Sequence, residues 1–253
     1  MKIATYNVRV DTDYDRQWQW DYRKDYVLGL LTYHAWDLVG VQEVRPNQVE
    51  DLTSLKDYQV LAAERDGDGT GEGLAILYRP ALELLDSGFF WLSETPDKPS
   101  IHPEAGYPRI CLWGLFQEVG GAPFLVLNVH LDHVSEAARM SGMKVLLTEL
   151  ADKIADYPTI LLGDFNAWPT DEVHHLVQAQ FENGKTTSPS PHYGPDGTFQ
   201  NFDYETSWQD LEEIDYIYLK GFAALKTGVL TDACDRRFPS DHFPLAMTIQ
   251  TKD

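Results

Sequence analysis

The chain of 253 residues has only two cysteines, Cys111 and Cys234, and no apolar run near the roughly 18 residues that a membrane-crossing helix requires. Two cysteines do not build the disulfide framework of a small secreted domain. The opening Met1-Lys2-Ile3-Ala4-Thr5-Tyr6-Asn7 passes straight into an alternating strand pattern, without the apolar core and small-residue cleavage site of an export signal. A reduced, cytoplasmic protein with no membrane partner is the expectation. Positive charge is also scarce, 20 Lys and Arg against 40 Asp and Glu, a formal net charge of −20. Duplex binding rests on cations that displace counterions from phosphates, so a long nucleic-acid duplex is disfavoured as a partner. Linkers, repeats and low-complexity runs are missing, and one domain over 1–253 is expected. The chain lacks a Walker-type Gly-rich loop, a Gly-x-Ser-x-Gly elbow and a dinucleotide fingerprint, which sets aside phosphoryl transfer from ATP, esterase and dehydrogenase chemistry.

What the chain has is a set of strand patterns that begin apolar and end polar. In Ile160-Leu161-Leu162-Gly163-Asp164-Phe165-Asn166-Ala167-Trp168-Pro169, the residues Ile160, Leu162, Asp164 and Asn166 share one parity of a period-two strand. Phe124, Val126, Asn128, His130 and Asp132 repeat the pattern over 124–132. So do Ile3, Thr5 and Asn7 over 2–10, whereas over 213–220 Asp215, Ile217 and Leu219 share a face with the carboxylate at the start of the strand. Over 37–44, Val39, Val41 and Glu43 share a face; Glu43 there is either a solvated strand end or a paired or metal-bound carboxylate. Further strands are predicted near 58–64, 73–79, 89–93, 109–119 and 245–250. Glu72 opens the strand at 73–79, and Arg109 opens the strand at 109–119.

Helices are predicted over 22–33, with Tyr26, Leu30 and Tyr33 at helical spacing, near 47–54, from the Ser135 cap to Ala155, and from Thr170 to Gln180. Trp20 and Arg23 read as packing residues, and His174 and His175, with no ligand partner at helical spacing, as surface residues. The stretch 182–210 is the longest irregular one, and its Tyr193, Phe199 and Phe202 favour a pocket wall. Asp241 and His242 are adjacent and therefore need different partners. A set of hard oxygen donors with few histidines suits Mg²⁺ or Mn²⁺ better than zinc, and such an ion, keeping open positions, favours phosphoester hydrolysis.

Asn7 after the first strand, Gln42-Glu43, Asn128-x-His130-x-Asp132, Gly163-Asp164-Phe165-Asn166, Ile214-Asp215-Tyr216 and Ser240-Asp241-His242, in this order, resemble the endonuclease/exonuclease/phosphatase superfamily over essentially the full chain. The resemblance implies an α/β fold of the deoxyribonuclease I type, a four-layer sandwich of two face-to-face mixed sheets flanked by helices. It implies Glu43 as the main Mg²⁺ ligand with Asn7 and Asp241 in the metal shell, and Asn166 and His130 on the phosphate. Asp164 and His242, the latter oriented by Asp215, are the two candidates for the water's proton. Glu72 resembles the acid that holds the equivalent of His130, and Arg109 lies where related sequences place a substrate-binding Arg. Asn128, Asp132, Trp168 and Phe199 complete the candidate substrate contacts, with Trp168 either stacking on substrate or packing beside Pro169. The Asn-Val-His-Leu-Asp-His and Asp-Phe-Asn-Ala-Trp-Pro runs look closest to small uncharacterised bacterial members, distantly similar to the deadenylase and nocturnin-like branch.

The expected function is Mg²⁺-dependent phosphatase or phosphodiesterase action on a small phosphorylated metabolite, sugar phosphate or nucleotide, by a monomer. The alternatives are a single-strand or end-directed nuclease and a non-catalytic phosphate-binding module of the same fold.

Overall fold

A computed structural model describes residues 1–252. In chain order the first half forms β1 (Lys2–Asn7), a 3₁₀ segment Asp13–Trp18, α1 (Trp20–His34), β2 (Leu38–Val44), α2 (Pro46–Thr53), β3 (Gln59–Glu64), β4 (Gly73–Tyr78), β5 (Leu82–Trp91) and β6 (Ile110–Glu118). The second half adds β7 (Pro123–His130), α3 (Glu136–Glu149), α4 (Ala151–Asp156), β8 (Thr159–Asp164), α5 (Glu172–Gln178), β9 (Glu182–Asn183), α6 (Gly184–Thr187), β10 (Asp215–Lys220), β11 (Phe222–Val229) and β12 (Leu245–Thr251). Two six-stranded sheets result, ordered β11-β12-β1-β2-β4-β3 and β5-β6-β7-β8-β10-β9. Among the described residues no helix is long and apolar enough to cross a membrane.

Period-two patterning explains the layers. Ile3, Leu38, Ile76, Val126, Ile160, Leu162, Ile217 and Leu245 pack together between the sheets. The opposite parity of the first sheet, including Ala4, Tyr6, Val39 and Val41, packs against Trp20, Val27, Leu31 and Leu52 of α1 and α2. Leu125, Leu127, Leu161 and Tyr218 of the second sheet meet Met143, Leu146, Ile154, Val173 and Val177 of the later helices. The expected four-layer sandwich is therefore the observed one, because each sheet has two apolar faces and needs a partner on both.

Connection direction then places the site. Among the described strands, β1 runs parallel to β2 and β7 parallel to β8, and the Asn7–Asp164 hydrogen bond joins the ends of β1 and β8, so all four strands end at the same edge. β10 runs antiparallel to β8 with Asp215 opposite Asp164, which brings the start of β10 to that edge. β12 runs antiparallel to β1, with Leu245 opposite Thr5, so the Ser240-Asp241-His242 segment just before it arrives there too.

Several elements differ from their sequence patterns. α1 buries Trp20, Arg23, Val27, Leu30 and Leu31, while Tyr33 is exposed, so the expected Tyr26-Leu30-Tyr33 stripe is offset from the true buried face. Trp20 and Arg23 are packing residues as expected: Arg23 donates to the carbonyls of Val8, Arg9, Trp18 and Pro239. The long helix expected from Ser135 breaks at Leu150 into α3 and α4. β5 starts seven residues before the expected 89, an edge strand interrupted by a register shift between Leu84 and Asp86. β11 has no clean alternation, because a register shift between Ala224 and Lys226 moves its side chains out of phase.

One polar strut crosses the dry inter-sheet layer. Asn128 is fully buried; its Nδ2 donates to the carbonyls of Val41 and Ala75 across the sheets, and its Oδ1 accepts from Gln42 Nε2 at 2.7 Å. Gly40 makes the approach possible, since a Cβ there would lie 2.0 Å from Leu162 Cδ1 and 3.2 Å from Asn128. Asn128 is thus an internal tie, out of reach of a substrate, which corrects its expected role. Asn128→Ala removes three buried hydrogen bonds and leaves a cavity, at a cost on the order of 2–4 kcal/mol. Urea unfolding is expected to show a lowered midpoint at unchanged slope, with KM of the folded variant as in the parent protein.

Candidate active site

Glu43 reaches the site through a backbone irregularity. Val39 and Val41 face the helices, and a regular strand would send Glu43 the same way. The register with β4 shifts between Gln42 and Val44, and Glu43 takes φ 61°, so the bulge turns its carboxylate to the inter-sheet edge instead. A non-glycine residue in the left-handed region is strained, and such strain persists only where surrounding contacts fix it. Here those contacts are Asn7 Nδ2 to Glu43 Oε1 at 3.0 Å and the Val10 amide to Oε2 at 2.9 Å.

The other strand ends converge on Glu43. Asn7 Nδ2 also donates to Asp164 Oδ2 at 3.0 Å, linking the two sheets. His130 Nε2 lies 3.5 Å and His242 Nε2 3.8 Å from the same Asp164 oxygen. On its other side His242 Nδ1 is 2.8 Å from Asp215 Oδ2, an oxygen that also accepts from Thr198 Oγ1 at 2.6 Å. Glu72 Oε1 sits 3.6 Å from His130 Nδ1. Asn166, at φ 47°, is held by Asp164 Oδ1 at its amide and by the Leu131 carbonyl at its Nδ2. The Ser240 hydroxyl donates to the Asn7 carbonyl at 2.7 Å and tethers the Asp241-His242 segment to β1.

These groups open onto a cleft of about 860 Å³ lined by Glu43, Glu72, Arg109, His130, Asp164, Asn166, Phe199, Asp241 and His242. The remaining expected residues fall elsewhere. Asp132 is buried and its carboxylate accepts the amides of Gly106, Val134 and Ser135, so it organises a loop rather than substrate. Trp168 is half exposed and absent from the cleft lining. Of the aromatics in 182–210, Phe199 lines the cleft 5.0 Å from the His242 ring, Phe202 stacks on Trp18 at 4.7 Å, and Tyr193 pairs with Gly228 away from the cleft. Asn7, expected in the metal shell, accepts from the Arg9 amide at its Oδ1 and donates from Nδ2 to Glu43 and Asp164.

His174 is a correction of a different kind. It is buried, not a surface residue; its Nδ1 lies 2.8 Å from the Tyr218 hydroxyl, and its ring stacks beside Phe165, behind the turn that carries Asp164 and Asn166. Its neighbours Val173 and Val177, both buried, marked that face in the sequence. Sequence reading also passed over Arg9, Arg65, Tyr107 and His133, all in the cleft lining. Isolated arginines and aromatics carry no periodic signal; only the Arg9 position two residues after Asn7 hinted at proximity.

The electrostatics are those of a site short of positive charge. Burial, reinforced by the Asp215 charge, pushes Asp164 up to about 7, and burial with the Glu43 charge does the same to Glu72, to about 7. Burial also raises Asp241, with the Glu43 charge adding to it. Glu43 itself stays below the ordinary carboxylate value: burial opposes its charge, but the Asn7 hydrogen bond, Arg9 and the Val10 amide outweigh it. Burial works to lower His242, yet the Asp215 carboxylate overcomes it and carries the imidazole up to about 10. His130 falls well below its usual range through burial and the nearby Arg109.

A divalent cation fits this arrangement. Donor atoms of Glu43, His130 and Asp164 lie within 4.8 Å of one another, and Asp241 lines the same cleft. Carboxylates raised by burial and, less, by one another's charge are what an added cation would relieve. The neighbouring set Asp164, Asp215 and His242 is equally compact, but His242 Nδ1 is already engaged by Asp215.

A family model described as Endonuclease/Exonuclease/phosphatase family matches residues 4–242. Among solved structures, a functionally unknown conserved protein from Enterococcus faecalis V583 is 59% identical, covers 100% of each chain and superposes with a TM-score of 0.97. A mannosyl-6-phosphatase of Bacteroides thetaiotaomicron VPI-5482 is 32% identical over 99% of each chain, with a TM-score of 0.91. The human nocturnin catalytic domain shares the fold, at 18% identity and a TM-score of 0.75 over 100% of this chain and 93% of that one.

The Asp164 environment has a stability consequence. A carboxyl whose folded value is raised to about 7 from an unfolded value near 3.9 contributes stability that is full below the unfolded value and is lost as pH rises through the folded one. In metal-free protein, Asp164→Asn is therefore expected to gain thermal stability over the parent as pH rises from about 4 to 8. Paired melting curves in EDTA across that range check it; a difference that shrinks with pH contradicts it.

Proposed function

Since the chain belongs to the endonuclease/exonuclease/phosphatase family, we propose that it is a Mg²⁺-dependent phosphatase, with Mn²⁺ as a substitute, acting on a small phosphorylated sugar or nucleotide. The observation that carries this reading is the convergence of Glu43, His130, Asp164, Asp241 and His242 from both sheets on one cleft. Glu43, with Asp241 beside it, would hold the cation, which when bound would supply positive charge to the phosphate oxygens and to the leaving group.

The chain's own residues divide the remaining work by their charge. His242 is cationic at neutral pH because Asp215 holds its Nδ1, so its Nε2–H can donate to phosphate but cannot take a proton. Asp164, whose Oδ2 lies 3.5 Å from His130 Nε2 and 3.8 Å from His242 Nε2, is the carboxylate suited to accept the water's proton as the water attacks in line. His130 is neutral and lies between Glu72 and Asp164, placed to donate one hydrogen bond to a non-bridging oxygen. Asn166, fixed by the Leu131 carbonyl, orients the phosphate. Phe199 packs against the His242 ring and limits access of bulk water to that face.

Substrate size follows from the cleft. A volume of about 860 Å³ is in the range of small-molecule sites, and no lysine lines it. Together with the net charge of −20 this favours a compact metabolite over a polymer. The mannosyl-6-phosphatase at 32% identity supports a phosphorylated sugar.

With Mg²⁺ or Mn²⁺, a panel of sugar phosphates and nucleotides is expected to show phosphate release that EDTA abolishes. Glu43→Gln is expected to lower kcat by about 100-fold or more. Metal-independent turnover, or full activity in that variant, overturns the reading. Faster cleavage of single-stranded oligonucleotides than of any phosphomonoester would replace it with the nuclease, and no turnover on any substrate would replace it with a binding module.

A further inference from the structure

At one end of the cleft, on the Nδ1 side of His130, two arginines are packed side by side with most of their hydrogen-bonding capacity unused. Arg65 and Arg109 are each more than nine-tenths buried, and both line the cleft. A guanidinium carries five N–H donors in a planar fork. Arg65 Nη1 donates to Glu72 Oε1 at 2.5 Å, and Arg109 Nη2 lies 3.2 Å from His133 Nδ1. Their other acidic neighbours stand beyond hydrogen-bond reach: Glu72 at 3.8 Å from Arg109 Nη1, Asp132 at 4.0 Å from its Nε, and Asp66 at 4.0 Å from Arg65 Nε. Buried Nε atoms of both side chains have no partner.

The pair is also held rigid. The Arg65 guanidinium lies 4.6 Å over the Tyr107 ring, and Tyr107 stacks with His133 at 5.8 Å, whose Nδ1 in turn faces Arg109. The Trp91 indole donates to the Arg65 carbonyl at 2.6 Å, fixing the start of the loop. A preorganised, desolvated fork with surplus donors binds oxyanions more strongly than hydroxyls, and does so bidentately. It does not compete for the scissile phosphate: the His130 ring stands between, its Nε2 facing Asp164 and its Nδ1 facing Glu72.

We propose that Arg65, together with Arg109, forms a clamp for a second oxyanion on the same substrate, which makes Arg65 a specificity-determining residue and the substrate a bisphosphate or a phosphate bearing another dianionic group. This rests on the phosphatase reading for the scissile phosphate and adds to it. The cleft has room for the larger molecule, with a volume of about 860 Å³ and a lining that includes Tyr14 and Asp241 as well as Tyr107 and His133. Tyr107, half exposed, borders the clamp, its ring 4.6 Å from the Arg65 guanidinium.

The test compares matched pairs of substrates: hexose 6-phosphate with hexose 1,6-bisphosphate, and nucleoside 5′-monophosphate with nucleoside 3′,5′-bisphosphate. The parent protein is expected to favour one bisphosphate through a KM lower by about tenfold or more, the effect of one or two charge-assisted hydrogen bonds. In Arg65→Met the ratio of kcat/KM for that bisphosphate over its monophosphate is expected to fall about tenfold, and in Arg65→Lys by less, because charge remains without the fork. A ratio that is flat in the parent protein, or unchanged in both variants, overturns the clamp. Calorimetric binding of the same compounds in EDTA separates this from the phosphatase reading. Arg65-dependent binding without turnover on reloading with Mg²⁺ keeps the clamp and removes the phosphatase; monophosphate turnover with no bisphosphate preference does the reverse.

Discussion

The two hydrogens of the Asn7 amide hold the site together. One goes to Glu43, from the neighbouring strand of the same sheet, and the other to Asp164, from the opposite sheet. Two buried carboxylates are thereby kept close although their charges repel, and the edges of both sheets are fixed at the point where the chemistry is placed. Ser240 adds the third strand-end segment by donating to the carbonyl of the same Asn7. Below this layer, Thr5, Gln42 and Asn128 form a second polar chain through the inter-sheet core. A polar chain in a dry layer fixes one register of the two sheets, because any slip would leave its buried donors unpaired.

The price of this arrangement is local strain and unbalanced charge. Glu43, Asn166 and Arg9 all adopt positive φ, a conformation that costs non-glycine residues stability and clusters at working sites. Asp164, Asp241 and Glu72 are all raised by burial, so the folded chain holds acids whose ionised form is disfavoured where they stand. The positive partners are few and specialised: Arg9 is gripped bidentately by Asp15 at 2.8 Å, His242 is held by Asp215, and Arg65 and Arg109 share Glu72 as their nearest carboxylate. An acidic protein thus presents positive charge to an anionic substrate at a few built positions rather than over a surface.

Single residues show where reading by pattern stops. For Asp164, His130 and Asp215 the strand parity was right, because regular β structure keeps alternate side chains on one face and these three stay in regular strands. For Glu43 the same rule pointed to the helix-covered face, and a bulge that no local residue announces reversed it. Asn128 shares the parity of His130 and was grouped with it, yet two residues of rise separate the cleft from the dry interior. His174 looked solvent-facing as a lone histidine, while the tyrosine that receives it, Tyr218, lies 44 residues away.

The sequence by itself determined the sheets, their apolar faces and the list of polar strand ends, since these depend on short-range periodicity and on residue types within one element. The order of motifs likewise carried the family. Tertiary structure alone decided which polar groups share a cleft, which are struts, and how each is charged. Those outcomes depend on contacts between elements distant in the chain and on burial, and neither leaves a mark in local spacing. Arg65 and Arg109 illustrate the division: Arg109 was a candidate by resemblance and Arg65 was not, and the two become one feature only when two loops meet across Tyr107.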